Sequence, residues 1–205
     1  KTAVVVCSET EPRTVIGVAD TVRQTSRQAI TELHGLGIRT IMLTGDNALT
    51  AGAIAKDVGI DEAKGNLLPE DKLAIITSEV ERYGQVGMVG DGINDAPALA
   101  KSSIGFAMGA AGTDTAIETA DVALMDDDLR KIAQFIRLSR KTASILKQNI
   151  VVALVIKAVF LILAFAGIAT LWMAVFADMG ASLIVVFNGL RLLKGGADKA
   201  LPVSP

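Results

Sequence analysis

The residues of this chain best suited to chemistry lie in the sequence GDGIND, where Asp91, Asn94 and Asp95 fall close together. The apolar run over 86–89 before them is typical of a strand buried in a parallel sheet. Glycines on both sides of Asp91 permit a sharp turn and the close approach of a ligand. Open α/β sheets bind ligands at the carboxyl ends of strands, and oxygen ligands there suit Mg²⁺. The segment therefore indicates a Mg²⁺ site, with an ordinary strand–turn–helix corner as the alternative.

A second candidate site follows another apolar strand, over 38–43, which ends in Thr44, Gly45 and Asp46. A hydroxyl and free backbone amides at a strand end, before a helix N-terminus, form an anion site. The helix is predicted over 47–58 and ends at Gly59. Taken alone, the same residues are equally consistent with a simple helix cap.

Lys72 is the third candidate. It lies in the sequence PEDK, in which an early proline and two acids indicate the first turn of a helix. A solvated surface lysine is the alternative interpretation. For a lysine taken without its context, that alternative would be favoured.

The segment GDGINDAPAL over 90–99 closely resembles the GDGxNDxPxL signature of P-type ATPases, ion pumps of the haloacid dehalogenase superfamily. TGDN over 44–47 and PEDK over 69–72 are similar to two further motifs of that family. The resemblance implies ATP and Mg²⁺ as cofactors. It implies that Asp91 binds Mg²⁺ with support from Asp95. It also implies a set of residues that handle the transferred phosphoryl group: Thr44, Gly45, Asp46, Lys72, Asn94 and Asp95.

Arg23 follows the segment GVADTV, which in such a pump is the return from the nucleotide-binding domain. From that hinge Arg23 could bind a nucleotide phosphate, although a surface arginine is equally consistent with the sequence. The resemblance predicts a tail of the nucleotide-binding domain over 1–20 and the phosphorylation domain over 21–128.

Strands and helices alternate through this region, which predicts an α/β fold with a doubly wound parallel sheet. The resemblance to P-type ATPases implies that this sheet is of the haloacid-dehalogenase type. The runs over 2–7 and 14–19 predict a hairpin or a pair of edge strands. Further elements are predicted as follows: helices over 26–36 and 113–119, and strands over 103–109 and 121–125.

The C-terminal part of the chain predicts a transmembrane α-helical hairpin. Residues 150–169 and 171–190 are almost wholly apolar, and each is long enough to cross a bilayer. Positive residues precede the first span and follow the second, so both ends are expected in the cytoplasm. We predict a basic connecting helix over 129–148, the two spans within 149–193, and a cytoplasmic tail over 194–205.

Each span contains one charge, Lys157 in the first and Asp178 in the second, and both fall near the middle of the bilayer. The pair resembles that of the zinc/cadmium/lead-exporting subgroup of heavy-metal P-type ATPases. That resemblance implies Asp178 as a ligand of transported Zn²⁺, Cd²⁺ or Pb²⁺ and Lys157 as its counter-charge. A salt bridge that only fixes the helix register is the alternative.

Three motifs of an intact pump do not occur here: the nucleophilic Asp-Lys-Thr-Gly-Thr, the Cys-Pro-Cys of the membrane and the His-Pro of the nucleotide domain. We therefore expect a C-terminal fragment of a monomeric pump of the cell membrane, unable alone to form the phosphoenzyme. The competing interpretations are a soluble phosphatase of the same superfamily, a membrane-anchored regulatory module, and a copper or potassium pump.

Composition narrows the remaining classes. The 205 residues carry a formal charge of −2, which argues against a nucleic-acid partner. Cys7 is the only cysteine and His34 the only histidine, so this chain alone cannot build a disulfide framework or a histidine-cluster zinc site. We predict that His34 lies on the surface near the end of a helix.

Overall fold

The computed structural model describes residues 2–8, 12–18, 22–90, 93–109 and 114–197. The chain forms two compact units, Lys1–Ala133 and Gln134–Pro205. The first is an α/β unit, and the second consists of two long helices.

The α/β unit begins with the predicted hairpin, in which β1 (Thr2–Cys7) pairs antiparallel with β2 (Pro12–Val18). All other strand pairings are parallel, as expected. One sheet joins β3 (Ile41–Leu43) to β4 (Glu62–Lys64). The other has the order β5 (Gly87–Gly90), β6 (Ile104–Met108) and β7 (Val122–Leu124).

Helices connect these strands, and the predicted α/β fold class is confirmed. Two details differ from the prediction: β4 was not predicted, and the described strands lie in separate sheets because no hydrogen bonds link β3 to β5 in that part of the chain. In the described residues the helices between these strands are α1 (Gln24–Gly35), α2 (Ala48–Val58), α3 (Pro69–Tyr83), α4 (Ala96–Lys101) and α5 (Asp114–Thr119).

A single apolar cluster packs the two sheets together. Ile76 of α3, Leu99 of α4 and Ala107 of β6 are buried in it, and Leu43 of β3 packs against it. Since removing such side chains from water is the main force that stabilises a fold, this cluster holds both strand ends of interest in one rigid body.

The second unit contains most of α6 (Arg130–Phe165) and all of α7 (Leu171–Ala197), both long and apolar enough to cross a membrane. The predicted connecting helix and first span are one continuous helix, because no glycine or proline separates them. That helix ends at Phe165, earlier than predicted, and Gly167 then adopts a φ of 72° in the turn. Large apolar side chains remain exposed on both helices: Leu154, Ile162, Phe176 and Phe187 are examples.

Candidate phosphoryl-transfer site

Lys72 and Asp95 form the centre of the candidate site. Lys72 lies in the first turn of α3, and Asp95 ends the 3-10 turn Ile93–Asp95 before α4. The Lys72 Nζ is 2.8 Å from the Asp95 Oδ1, and the two side chains are only 16% and 11% exposed. Charges so shielded from water interact more strongly than a surface pair does. The fold thus brings together two residues that the sequence had singled out separately.

Gly90, the last residue of β5, allows Asp95 to take this position. A β-carbon at Gly90 would lie 2.8 Å from the Asp95 Cβ and 3.1 Å from its Oδ2. Contacts that short do not occur without a shift of one partner, so only glycine fits beside Asp95 here. Asn94, next to it, is exposed.

The loop after β3 carries the predicted anion site. The Thr44 Oγ1 donates to the Asp46 Oδ2 at 3.1 Å and accepts from the Asp46 N–H at 3.1 Å. The Thr44 N–H donates to the Lys64 carbonyl at 3.0 Å, and the Thr44 carbonyl accepts from the Leu67 N–H at 3.1 Å. The Asn66 N–H donates to the Asp46 carbonyl at 2.6 Å. The loop after β4 therefore holds the loop after β3 in place.

This supporting loop was not predicted. Its signal in the sequence is the pair Gly65–Asn66, since such pairs favour turns, and Asn66 has the left-handed φ of 56° that asparagine tolerates. The same stretch leads directly into α3, where the Leu68 N–H donates to the Asp71 Oδ2 at 2.9 Å. Backbone bonds thus connect the Thr44 loop to the start of the helix that carries Lys72.

A polar cluster occupies the opposite ends of β3 and β4. The Asp61 Oδ2 accepts from the Thr40 N–H at 2.8 Å and from the Thr40 hydroxyl at 2.9 Å, and it lies 3.0 Å from the His34 Nε2. The backbone N–H of Thr40 contributes most to lowering the pKa of the Asp61 carboxyl below its usual value. His34 is exposed at the end of α1, as predicted, but its contact with Asp61 was not foreseen.

Asp128 caps the start of α6. Its Oδ1 accepts from the Arg130 N–H at 3.0 Å, and its Oδ2 accepts from the Arg130 guanidinium at 2.6 Å. That guanidinium hydrogen bond is the main reason why the pKa of Asp128 is lowered. The cap explains why the long helix begins where it does.

Comparison with known proteins agrees with this geometry. Residues 1–102 match the family of haloacid dehalogenase-like hydrolases. The chain is 53% identical over 195 residues to the cadmium-transporting ATPase of Staphylococcus aureus, covering 95% of this chain and 27% of that protein. It is 46% identical over 194 residues to the zinc/cadmium/lead-transporting P-type ATPase of Escherichia coli (strain K12), covering 95% of this chain and 26% of that protein.

A solved structure decides the family. The crystal structure of a zinc-transporting PIB-type ATPase in the E2·Pi state matches with a TM-score of 0.85 at 46% identity, over 93% of this chain and 31% of that chain. The chain belongs to the heavy-metal P-type ATPases. It spans about a quarter of the length of the two curated relatives described above.

The sequence predicted that Arg23 could bind a nucleotide phosphate. In the structure Arg23 is exposed and lies at the N-terminus of α1. It lines a cavity of about 320 Å³. None of the other described candidate residues lines this cavity, so it does not unite Arg23 with Lys72 and Asp95. The lining residues are Val22, Arg23, Thr25, Ser26, Met108, Asp127 and Leu129.

The resemblance to P-type ATPases implies a Mg²⁺ site at Asp91. This site remains a prediction, because Asp91 lies outside the described residues. Within the described ranges, no group of three or more acidic, histidine or cysteine residues is placed to hold a metal ion. Asp95 and Asn94 supply oxygen donors of the type that Mg²⁺ prefers. The Asp95 Oδ1 accepts from the Lys72 ammonium, so a metal ion at this carboxylate would bind through its other oxygen, Oδ2.

Lys157 lies in the C-terminal part of α6 and Asp178 in the N-terminal part of α7, and both are exposed. No ion pair joins them in the part of the chain that the structure describes. The backbone carbonyl of Asp178 accepts from the Ser182 hydroxyl at 2.9 Å, a bond within α7. Among the described residues, no ion pair or side-chain hydrogen bond engages the two carboxylate oxygens of Asp178. The roles predicted for Lys157 and Asp178 stay predictions.

Proposed function

We propose that the intact protein exports divalent heavy-metal cations (Zn²⁺, Cd²⁺ or Pb²⁺) across a membrane, driven by ATP through an aspartyl-phosphate intermediate. The nucleophilic aspartate would come from a segment that this sequence does not contain. The shielded Lys72–Asp95 pair beside Gly90 carries the proposal, because it joins two family motifs at one strand end. The named activities of the relatives support the same class of pump.

Phosphoryl transfer depends mainly on positioning and on neutralising charge. In our proposal the Lys72 ammonium offsets the charge of the phosphoryl group, and Asp95 keeps that ammonium in place. The Thr44 hydroxyl would turn its proton from Asp46 to a phosphoryl oxygen, and the Gly45 N–H would donate a second hydrogen bond. The Asp46 N–H, which donates to the Thr44 oxygen, keeps their loop oriented. The exposed amide of Asn94 adds a further donor. Mg²⁺ bound by Asp91 and Asp95 would supply additional positive charge.

Arg23 has a separate role in this proposal, as a ligand of a nucleotide phosphate. Its exposed position at the start of α1 leaves the guanidinium accessible to a nucleotide. The assignment of residues 1–20 to the nucleotide-binding domain and of 21–128 to the phosphorylation domain belongs to the same proposal.

The hairpin would provide part of the ion pathway. A charge at the centre of a bilayer costs roughly 2.5–3.5 kcal/mol on insertion scales, so two such charges at similar depth need a reason. We assign Asp178 as an oxygen ligand of the departing cation and Lys157 as the charge that replaces the cation afterwards. The protein would lie in the cell membrane as a monomer, with the α/β unit and both ends of this chain in the cytoplasm.

The first test is the ATPase activity of the intact protein in lipid, measured with Zn²⁺, Cd²⁺, Pb²⁺, Cu⁺ and K⁺. We expect stimulation by the first three ions and its loss in Asp178→Ala. Asp126→Ala removes an exposed carboxylate outside both spans and should respond as the wild type does. Stimulation by Cu⁺ or K⁺ alone would refute the proposed substrates. Phosphate release independent of metal would refute the pump.

A second test concerns Lys157. Lys157→Ala should still form a metal-dependent phosphoenzyme but should turn over more slowly, because nothing then replaces the departing cation at Asp178. Turnover at the wild-type rate would remove Lys157 from the mechanism.

A further inference from the structure

Two asparagines connect the helices of the hairpin. The Asn188 Nδ2 of α7 donates to the Asn149 Oδ1 of α6 at 2.8 Å, and the Asn188 Oδ1 accepts from the Arg191 guanidinium at 3.0 Å. The Asn149 Nδ2 lies 3.5 Å from the carbonyl of Val185 in α7. We call Asn149, Asn188 and Arg191 the asparagine clasp.

The chemistry of Arg191 sets the direction of every bond in the clasp. A guanidinium can only donate, so Asn188 must present its oxygen to Arg191 and its amide nitrogen to Asn149. Asn149 must then present its oxygen to Asn188, which leaves its nitrogen facing the Val185 carbonyl. The orientation of both amides therefore follows from one cation at the end of the row.

The clasp lies at a defined distance along the helices from the two charged residues of the spans, Lys157 and Asp178. Lys157 follows Asn149 by eight residues, and Asp178 precedes Asn188 by ten. At about 1.5 Å per residue these separations are about 12 Å and about 15 Å along the helices. The helices are antiparallel, since Lys141 and Asn149 of α6 contact Arg191 and Asn188 of α7 in reverse order. The clasp therefore keeps Lys157 and Asp178 within about 3 Å of the same depth.

Few fully buried apolar side chains fix the two helices at one register. In the described part of this unit, the buried apolar side chains are Ile145 and Ala181. A β-carbon at Gly180 or Gly189 would meet no atom of the other helix within 4 Å. Within a bilayer, interhelical hydrogen bonds and close packing are what hold helices together. The short turn over 166–170 joins the helices at one end, and the polar bonds of the clasp fix their register at the other.

We propose that Asn149, Asn188 and Arg191 are positioning residues that fix the axial register of α6 and α7, so that Asp178 and Lys157 act at one depth. This inference rests on the proposed export function. The clasp does not bind the transported cation. It acts through the depth at which Asp178 meets that cation.

The test compares two substitutions at one position in the intact protein in lipid. Asn188→Leu removes both bonds that Asn188 makes, the one to Asn149 and the one from Arg191. Asn188→Asp keeps an acceptor for Arg191 and can accept from Asn149 once that amide flips, which gives up only the 3.5 Å contact with the Val185 carbonyl, so it should restore most of the clasp. Thr142→Ala is the control, because the Thr142 hydroxyl donates within its own helix, to the Leu138 carbonyl at 2.9 Å.

We measure the Zn²⁺ concentration that gives half-maximal ATPase activity. In Asn188→Leu it should rise about 3- to 15-fold, the range that measured interhelical hydrogen bonds in membranes allow. The maximal rate should change less, and Asn188→Asp and Thr142→Ala should stay near the wild-type value. A clasp that only holds the fold together would lower the thermal unfolding midpoint of Asn188→Leu without changing this concentration. That result, or equal impairment in Asn188→Asp, would overturn the proposal.

If the proposed export function is wrong, no divalent metal will stimulate the ATPase activity of the wild-type protein, and this result can be recognised separately. The distance between spin labels placed on α6 and α7 in the same variants then judges the clasp. A distance that changes in Asn188→Leu and is restored in Asn188→Asp supports a clasp that fixes the register. An unchanged distance in Asn188→Leu overturns it.

Discussion

Each of the two units of this chain contains a lysine and an aspartate of interest. The units differ in whether these two residues form an ion pair and in how exposed they are. In the α/β unit, Lys72 and Asp95 are 2.8 Å apart and almost shielded from solvent. In the helical unit, Lys157 and Asp178 are exposed and form no ion pair in the described residues. The first pair is held by packing around it, whereas the second is held only by the register of two helices. An ion pair held in place suits a catalytic site, whereas an unpaired lysine and aspartate suit the binding and release of a cation.

The two units also differ in how far their apolar side chains are exposed. Leu99 and Ala107 of the α/β unit are almost wholly buried, while Leu154 and Phe176 of the hairpin are 61% and 70% exposed. Exposed apolar area on this scale is unfavourable in water. Lipid or further helices of the intact protein would cover this area, whereas the α/β unit buries the apolar side chains of its own core.

The largest effect should follow from breaking the shielded pair. Lys72→Gln leaves the Asp95 carboxylate buried without its cation, which typically costs about 3–5 kcal/mol in the free energy of unfolding. Lys64→Gln is the control, since the Lys64–Glu62 pair is 3.4 Å apart and partly exposed, and such pairs contribute about 1 kcal/mol or less. Urea denaturation of the protein in detergent measures both. Equal losses would mean that shielding does not distinguish the two pairs.

Gly90→Ala tests whether packing positions Asp95. The new methyl group would displace the Asp95 carboxylate, and a shift of about 1 Å at a catalytic group can reduce the rate about 100-fold. Gly87→Ala adds the same methyl group in the same strand, but its nearest neighbour there is the Ile104 Cγ2 at an ordinary 3.5 Å. Steady-state ATPase assays of the intact protein should show a large loss only for Gly90→Ala. Full activity in that variant would refute the packing argument.

The Asp61 cluster gives the α/β unit a pH-dependent contribution to its stability. Because the pKa of Asp61 is lowered in the folded protein, its ionised form stabilises the fold above the ordinary value of about 3.9, and this contribution is lost as the pH falls below that value. Asp61→Asn should therefore lower the thermal unfolding midpoint at pH 7, with a smaller difference from the wild type at pH 3. Asp57→Asn removes only an exposed ion pair with Arg27 and serves as the control. A difference independent of pH would contradict this assignment.

The smallest effect on stability is expected in the free pair. Lys157→Gln should leave the thermal unfolding midpoint in lipid close to that of the wild type, because no ion pair with Asp178 is lost. A drop as large as that of Lys72→Gln would show that Lys157 and Asp178 are paired in the bilayer, and the contrast between the two units would then disappear.

Short-range patterns predicted much of this molecule. The helix over 47–58 is confirmed, with the Asn47 Oδ1 accepting from the Leu49 N–H at 2.8 Å and Gly59 ending it at a φ of 88°. The parallel strands, the N-terminal hairpin and two long apolar helices were also predicted correctly. Each depends on side-chain periodicity or on caps within a few residues, which a sequence displays directly.

Such short-range patterns could not predict contacts between residues that are distant in the chain. Neither β4 nor its loop was predicted, since three residues of mixed polarity form a strand only because β3 lies beside them. The asparagine clasp and the Asp61 cluster likewise join positions far apart in the chain.

The sequence by itself determined which residues carry the chemistry: the motifs at Thr44, Lys72 and Asp95, and one charge in each apolar span. Only the tertiary structure decided which of these residues meet. Lys72 reaches Asp95 because α3 and α4 pack on one core and Gly90 leaves room, whereas Lys157 and Asp178 sit on helices whose register depends on Asn149 and Asn188. Residue types follow from the sequence alone, but distances between remote residues follow from packing and long-range hydrogen bonds.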